Sequence, residues 1–338
     1  VLLRAGVALQ LTGYNLETGI TVHVGAQIQE AGSCVMPARL FFDIVRKLPD
    51  EMVSITVDHK QQVSIRAGAA FFQITAMDSE DYPELPDVNG KSGVTMPQSA
   101  LKAMISGTIF SVSENQARPI QTGCLMEVTE DSVTMVAVDS FRLARRTWHT
   151  ENAANHTLKF VVPAAGLKEI ERILEDSDEP VTFTLGDKHI LFSIGDALLV
   201  SRVLEGEFID WRRVVPTNCG TVLTANVAEL TSSIERVSLI ISEKVKSPVR
   251  CVFGDNMADF RTANTIGSAH DTCSIAGNGG ELEIGFNSRY LLDALRVIPS
   301  EEVTLELQNG LSPIVFTPCD KKYDFAYMVL PVRLRSNS

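Results

Sequence analysis

Two hydrophobic rhythms organise this chain. Between Arg118 and Arg146, Leu125, Val128, Val133, Met135 and Ala137 fall at near-alternate positions, and Glu130-Asp131-Ser132 interrupts them. Apolar residues at a period of two on either side of a polar break predict a half-buried β-hairpin. From Asp139 to Ala144 the alternation stops. Phe141 and Leu143 flank Arg142 there, and Arg145 and Arg146 follow. That pattern predicts a short irregular segment ending in a basic cluster, with apolar side chains suited to a surface groove. The pattern occurs twice more. Residues 2–24 predict a hairpin whose Leu11–Asn15 lies over Met135–Asp139 at an offset of 124 residues. Residues 249–264 hold a third copy, with Phe260–Asn264 offset by 125 from the second.

The second rhythm is helical. Residues 36–49 place Leu40, Phe41, Ile44, Val45 and Leu48 on one face. Residues 162–174 repeat this with Leu167, Ile170, Ile173 and Leu174, and residues 286–299 with Leu291, Leu292, Leu295 and Ile298. Pro37, Pro163 and Asn287 take the equivalent starts. Proline is tolerated in a first helical turn because its missing N–H has no partner there in any case. Alternating strands follow each helix, over 52–77, 180–204 and 302–334. Two more helices precede the second and third hairpins. Residues 96–113 turn Leu101, Met104, Ile105 and Ile109 inward, and residues 223–242 turn Val227, Leu230, Ile234 and Val237. The first hairpin has no such helix before it, which predicts that a helix and a strand precede Val1. The period is too long for a solenoid. It predicts an α+β protein of three tandem similar domains, at 1–90, 91–217 and 218–338.

Composition narrows the functions open to such a chain. Its 338 residues carry a net charge of −12, which argues against gripping nucleic acid by overall charge but leaves room for a local basic stripe. Basic residues lie off the apolar faces of the helices: Arg39, Arg46 and Lys47; Lys168 and Arg172; Arg289 and Arg296; and Lys102. Acidic residues are mixed among them. Six scattered cysteines without a C-x-x-C spacing predict free buried thiols, with no structural zinc. No apolar run reaches the length of a membrane span. Phosphate-loop, nucleophile-elbow, zinc-protease and dinucleotide motifs are absent from the sequence, and the six histidines share no ligand spacing. Asp139 and Arg142 suit an acid and a phosphate clamp, but the repeat places Asn15 and Asn264 at the Asp139 position. A side chain capping a turn accounts for all three.

Several stretches carry a family pattern in order: R-P-I-x-T-G at 118–123, A-V-D-x-x-R-L-A at 137–144, and F-x-D-W-R-R-V-x-P at 208–216. S-E-K follows at 242–244, F-N-x-x-Y-L-L-D at 286–293 and L-P-V-R-L at 330–334, with P-A-R-x-F-F-D-I at 37–44 in the first repeat. On these motifs the chain resembles the bacterial sliding clamps, the beta subunit of DNA polymerase III, and its start resembles an N-terminally truncated member. The resemblance implies a homodimeric ring with helices inside and antiparallel sheets outside, which encircles double-stranded DNA and has no cofactor, metal or catalytic site. Its implied partners are the DNA polymerase III catalytic subunit, the clamp loader, and other polymerases and repair proteins that carry clamp-binding peptides. The implied location is the cytoplasm, at the nucleoid.

Carried over by position, the peptide groove between domains two and three is walled by Gln121, Val138, Ser140, Phe141, Arg142, Leu143, Ile209, Arg213, Val214 and Val245. Asn287, Tyr290, Ser312, Ile314, Met328, Leu330, Pro331, Val332, Arg333 and Leu334 complete it. Two positions depart from the family: Phe141 stands where many members carry His or Tyr, and Gln121 where several carry Leu. Many members end near the Leu334 position, whereas Arg335–Ser338 extends this chain. The family's DNA contacts map to Arg39, Asn115, Gln116 and Arg118, beside the helix cations Lys168, Arg172 and Arg289. Its ring seam maps to Leu239 and Ile240. Two alternatives stand beside this reading: a small-molecule enzyme on duplicated α+β domains, and a clamp-like paralogue with altered clients.

Overall fold

The computed structural model describes residues 1–89, 93–151, 157–242 and 247–334. The first repeat runs β1 (Leu2–Ala5), β2 (Leu9–Tyr14), β3 (Thr18–Val24), β4 (Gly32–Val35), α1 (Ala38–Val45), β5 (Ser54–Val57), β6 (Gln62–Ala67) and β7 (Ala70–Thr75). The second runs β8 (Gly93–Pro97), α2 (Gln98–Ser106), β9 (Gly123–Val128), β10 (Ser132–Val138), β11 (Arg142–His149), β12 (Leu158–Pro163), α3 (Ala164–Ile173), β13 (Pro180–Leu185), β14 (His189–Ile194) and β15 (Ala197–Arg202). The third runs β16 (Thr221–Asn226), α4 (Val227–Ser238), β17 (Val249–Ala263), β18 (Ser268–Phe286), α5 (Ser288–Leu295), β19 (Glu302–Leu307), β20 (Ile314–Pro318) and β21 (Phe325–Val329).

These elements form two compact units whose borders do not follow the repeats. One holds Val1–Gln98 and Ser177–Val203, the other Ser99–Asp176 and Leu204–Ser338. In the first unit an eight-stranded sheet has the order β4-β1-β2-β3-β15-β14-β13-β8, and β5-β6-β7 form a separate small sheet. The small sheet packs Val63 and Ile65 against Ile44 of α1, with Phe41 and Leu48 partly buried beside them. The buried stripe is narrower than the sequence predicts, since Leu40 and Val45 are 46% and 47% exposed. Positions 41, 44 and 48 keep the spacing of one helix face, and an eight-residue helix has too few turns to bury its flanks.

The second unit is built on a ten-stranded sheet of order β12-β9-β10-β11-β21-β20-β19-β16-β18-β17. Its central strands are buried on both faces. Ala144, Ile314, Phe316, Tyr327 and Val329 turn toward the core under α4 and α5. Their neighbours Leu143, Val315, Ala326 and Met328 turn to a second core with Phe208, against which Ile209, Trp211 and Val215 pack. The expected half-buried hairpin is therefore corrected: every residue of β9 is buried. A strand covered on both sides reads as a nearly continuous apolar run, so a period of two is a poor guide there. The irregular segment expected over 139–144 is also corrected. It is a two-residue turn, after which Arg142–His149 forms β11 and pairs with β21.

The turn chemistry repeats as the sequence implies. Asn15 Oδ1 accepts from the N–H groups of Glu17 and Thr18, Asp139 Oδ1 from Phe141 and Arg142, and Asn264 Oδ1 from Ile266 and Gly267. Each residue closes a tight turn with its own carboxylate or amide oxygen. The expected helix over 223–242 starts later, because residues 221–226 are strand β16 and Asn226 caps α4 by accepting from Glu229 N–H. The expected helix over 96–113 ends at Ser106, before Gly107, with a 3₁₀ turn at Ile109–Ser111. Pro37, Pro163 and Asn287 all occupy N-cap positions. Four cysteines are buried as expected, but Cys319 is exposed and Cys219 intermediate.

Candidate functional site

The site is built around the Asp139 turn in the second unit. Phe141 is 53% exposed, and its ring stacks on Tyr290 of α5 with centroids 5.7 Å apart and planes 19° from parallel. The Phe141 carbonyl accepts from Leu330 N–H at 2.8 Å, which ties the chain after β21 to the turn. Farther on, Val332 N–H donates to Gly285 O at 2.8 Å. Glycine is required at that crossing, because a Cβ on Gly285 would lie 2.7 Å from Val332 O and 2.6 Å from Leu334 Cδ2. Pro331, Val332, Arg333 and Leu334 thus run over β18 with Val332 and Arg333 exposed.

Arg142, expected in the groove wall, lies mostly beneath the Phe141–Tyr290 surface. Its side chain is only 9% exposed. Nε donates to Asp139 Oδ2 at 3.0 Å and Nη1 to Asp293 Oδ2 at 2.6 Å. The guanidinium lies 4.6 Å from the Tyr290 ring centroid and 5.6 Å from that of Phe110. Val138, Leu143 and Met328 are buried in the core that also holds Phe208, so they form a floor beneath the surface. Ile314 is a correction. It is 2% exposed and faces the α4–α5 core, whereas its neighbour Val315 faces the site's core. One step along a strand reverses the face.

The opposite wall comes from the 3₁₀ turn Trp211–Arg213 with Ile209 and Val214. Ile209 packs on the Phe208 core, Val214 is 41% exposed, and Arg213 pairs with Asp210 at 3.0 Å. This segment is latched by Glu127 of β9, whose side chain is 9% exposed. Trp211 Nε1 donates to Oε2 at 3.2 Å, and Arg212 donates to Oε2 at 2.8 Å and to Oε1 at 3.4 Å. Lys159 Nζ is 3.5 Å away. Burial pushes the Glu127 carboxyl up, and the bonds from Arg212 and Trp211 outweigh it, holding the group below the ordinary carboxylate range. The latch residues Glu127 and Arg212 and the Asp293 partner were missed by sequence reasoning. A charged residue in a buried strand, Glu127 among Leu125, Met126 and Val128, was the available signal.

Gln121 lies in the 3₁₀ turn Pro119–Thr122, and its Oε1 is buried without a hydrogen-bond donor among the described residues. Ser140 is exposed beside Phe141. Asn287 caps α5, accepting from Arg289 N–H at 3.0 Å, and Ser312 closes the Asn309 turn. Val245 lies outside the described residues, as do Glu243 and Lys244 of the S-E-K motif and the Arg335–Ser338 extension.

The helix cations are exposed but accompanied. Arg39 pairs with Asp43 at 3.2 Å, Arg172 with Glu169 at 2.7 Å, and Arg289 lies 3.9 Å from Asp293. Lys168 is exposed on α3. Asn115, Gln116 and Arg118 are exposed in the loop before β9, where Asn115 Oδ1 accepts from Ala117 N–H. Leu239 is 83% exposed at the end of α4, and Ile240 O accepts from Asn264 Nδ2 at 2.9 Å. Among the described residues no group of three or more His, Cys, Asp or Glu is placed to hold a metal ion, and no helix is long and apolar enough to cross a membrane.

Family models of the DNA polymerase III beta subunit match the chain in three pieces. The N-terminal domain matches residues 1–86, the central domain residues 95–210 and the C-terminal domain residues 212–333. A beta sliding clamp of Staphylococcus epidermidis is 30% identical over 333 residues, covering 96% of this chain and 88% of that protein. A putative DNA polymerase III beta subunit of Eubacterium rectale superposes with a TM-score of 0.92 at 32% identity, over 98% of this chain and 90% of its own. The Bacillus subtilis sliding clamp gives a TM-score of 0.92 at 29% identity, over 99% and 91%.

Proposed function

Because the chain belongs to the DNA polymerase III beta subunit family, the beta sliding clamps, it is a non-catalytic processivity factor for DNA replication, and we propose that it holds its clients on the site around Phe141 and Tyr290. The enzyme alternative falls with that membership. The observation that carries the site is the Phe141–Tyr290 stack, bordered by Leu330 to Leu334 on one side and Ile209 to Val214 on the other. An aromatic pair with Phe141 exposed and Tyr290 half-buried, over an apolar floor, suits a short peptide with apolar anchors, and Gln121 offers it a buried acceptor. The clients are the polymerase III catalytic subunit, the clamp loader, and other polymerases and repair proteins with such peptides. The setting is the cytoplasm, at the nucleoid. Deleting residues 330–338 should lower primer-extension processivity by the cognate polymerase while leaving the mass in solution unchanged; unaltered processivity would remove the assignment.

DNA passes against Arg39, Lys168, Arg172 and Arg289, with Asn115, Gln116 and Arg118 beside it. A net charge of −12 limits adhesion elsewhere. The domains are 1–90, 91–217 and 218–338.

The homodimer closes where the repeat leaves sheet edges open. The strand after the Asx turn pairs with the last strand of the next repeat, β3 with β15 and β11 with β21. The remaining equivalents are the start of β18 and β7. Among the described residues β7 pairs only with β6, and residues 268–274 of β18 only with β17. Pairing β18 of one copy with β7 of another satisfies both edges and sets exposed Leu239, with Ile240, beside the junction. Transferring the register of β3 on β15 places Gly267 opposite Ile74 and Ser268 opposite Gln73 of the second copy.

A further inference from the structure

The buried guanidinium of Arg142 performs no task that its burial permits at a groove surface. Its Nε and Nη1 are taken by carboxylates, and its faces by two rings. The two carboxylates come from different repeats. Asp139 belongs to the turn after β10, and Asp293 to α5 in the third repeat, 151 residues along the chain from Arg142. The two stacked rings are divided the same way, exposed Phe141 on the turn and half-buried Tyr290 on α5. The β11–β21 ladder and the chain from Leu204 to Thr221 join the two repeats, but neither fixes the Asp139 turn against α5, and the stack alone is a weak bond. Offset aromatic pairs add about 0.5–1.5 kcal/mol beyond area. A charge-assisted bond of 2.6 Å between a nearly buried guanidinium and a carboxylate is much more directional.

We propose that Arg142 and Asp293 are a positioning pair that clips the second repeat to the third, so that Phe141 and Tyr290 form one preset aromatic platform for the client peptide. The inference rests on the groove reading given above and adds how the platform is held. Tyr290 is fixed twice: its helix is anchored through Asp293, and its ring lies over the Arg142 plane. Asp139 is committed three times, to two turn N–H groups and to Arg142 Nε, so the turn cannot swing without breaking the clip. A preset platform spares the peptide the ordering of two large side chains, each worth about 0.5–1.5 kcal/mol on binding.

The test uses the full chain and a fluorescent synthetic peptide of the cognate polymerase's clamp-binding segment, titrated by anisotropy. Asp293→Asn keeps an acceptor but removes the charge, and should weaken binding about tenfold, equivalent to ~1.4 kcal/mol. Phe141→Ala should weaken it more. In the double variant the Asp293 effect should shrink to less than twofold, because the clip acts only through the platform it holds. A merely structural role would instead give additive losses and track the melting temperature. Asp293→Glu should restore part of the affinity. Unchanged affinity in Asp293→Asn, or full additivity with Phe141→Ala, overturns the clip. Unchanged affinity in both Phe141→Ala and Tyr290→Ala overturns the groove reading itself.

Discussion

Replacing Glu127 by Gln should loosen the segment from Leu204 to Thr217 without unfolding the sheet beneath it. The carboxylate accepts one bond from Trp211 and two from Arg212, and lies close to Lys159. Hydrogen bonds to a charged group contribute about 1.5–3 kcal/mol each. Arg212 is 58% exposed, so solvent screens its share. Gln also retains one carbonyl acceptor, and its amide N–H₂ meets Arg212 unfavourably. The net loss is therefore about 2 kcal/mol, or roughly thirtyfold more frequent opening. Trypsin cleavage after Arg212 or Arg213 under native conditions reads that opening, provided closing outpaces cleavage. A Trp148→Phe background leaves Trp211 as the sole tryptophan and gives a second readout. The sign of the pH effect follows from the depressed carboxyl of Glu127. Its stabilisation is complete above the ordinary carboxylate range and is lost as pH falls through the lower folded value, so wild type and variant should converge only in acid. Cleavage within threefold of wild type at the same bond, with unchanged Trp211 emission at neutral pH, would refute the latch.

Further outcomes can be checked independently. Gly285→Ala forces the backbone at Val332 away from β18, and should weaken client-peptide binding at least fivefold by anisotropy while the dimer mass holds. Gln121→Leu removes a buried acceptor without a donor, so thermal stability should rise by about 1 kcal/mol while the affinity ranking of a client-peptide panel changes. Leu239→Lys should give monomers by sedimentation, since a charge would enter the dry junction. In the register proposed for the seam, Gln73→Cys with Ser268→Cys should yield a covalent dimer under mild oxidation, and Gln73→Cys with His270→Cys should not.

Much of the fold was legible because the chain states it three times. Any one hairpin or helix is ambiguous, but an offset near 125 residues shared by Asn15, Asp139 and Asn264 fixes their common role from the sequence alone. The three Asx turns and the equivalent starts of the three helices after Pro37, Pro163 and Asn287 follow directly. What stayed hidden is long-range. β11 reads as irregular because Arg142, Arg145 and Arg146 break the apolar rhythm, and its pairing with β21 lies far along the chain. Arg142 reads as a contact residue because its partner Asp293 is distant in sequence and carries no local signal. Ile314 and Val315 are equally apolar, and only the strand's register distinguishes them. Glu127 announces itself as an anomaly in an apolar run, but its partners on the 3₁₀ turn do not.

The placement of the second repeat's strands has a consequence for how the chain acquires its structure. β9 to β12 are stitched into the sheet that contains β16 to β21, while β13 to β15 complete the sheet that contains β1 to β3. The repeated sequence unit is therefore not a self-contained set of strands. An excised fragment of residues 91–217 would leave β11 and β15 as bare hydrophobic edges and should collapse without native order. Nascent chain leaving the ribosome cannot complete its first large sheet until β15 has emerged, and the second must wait for β21.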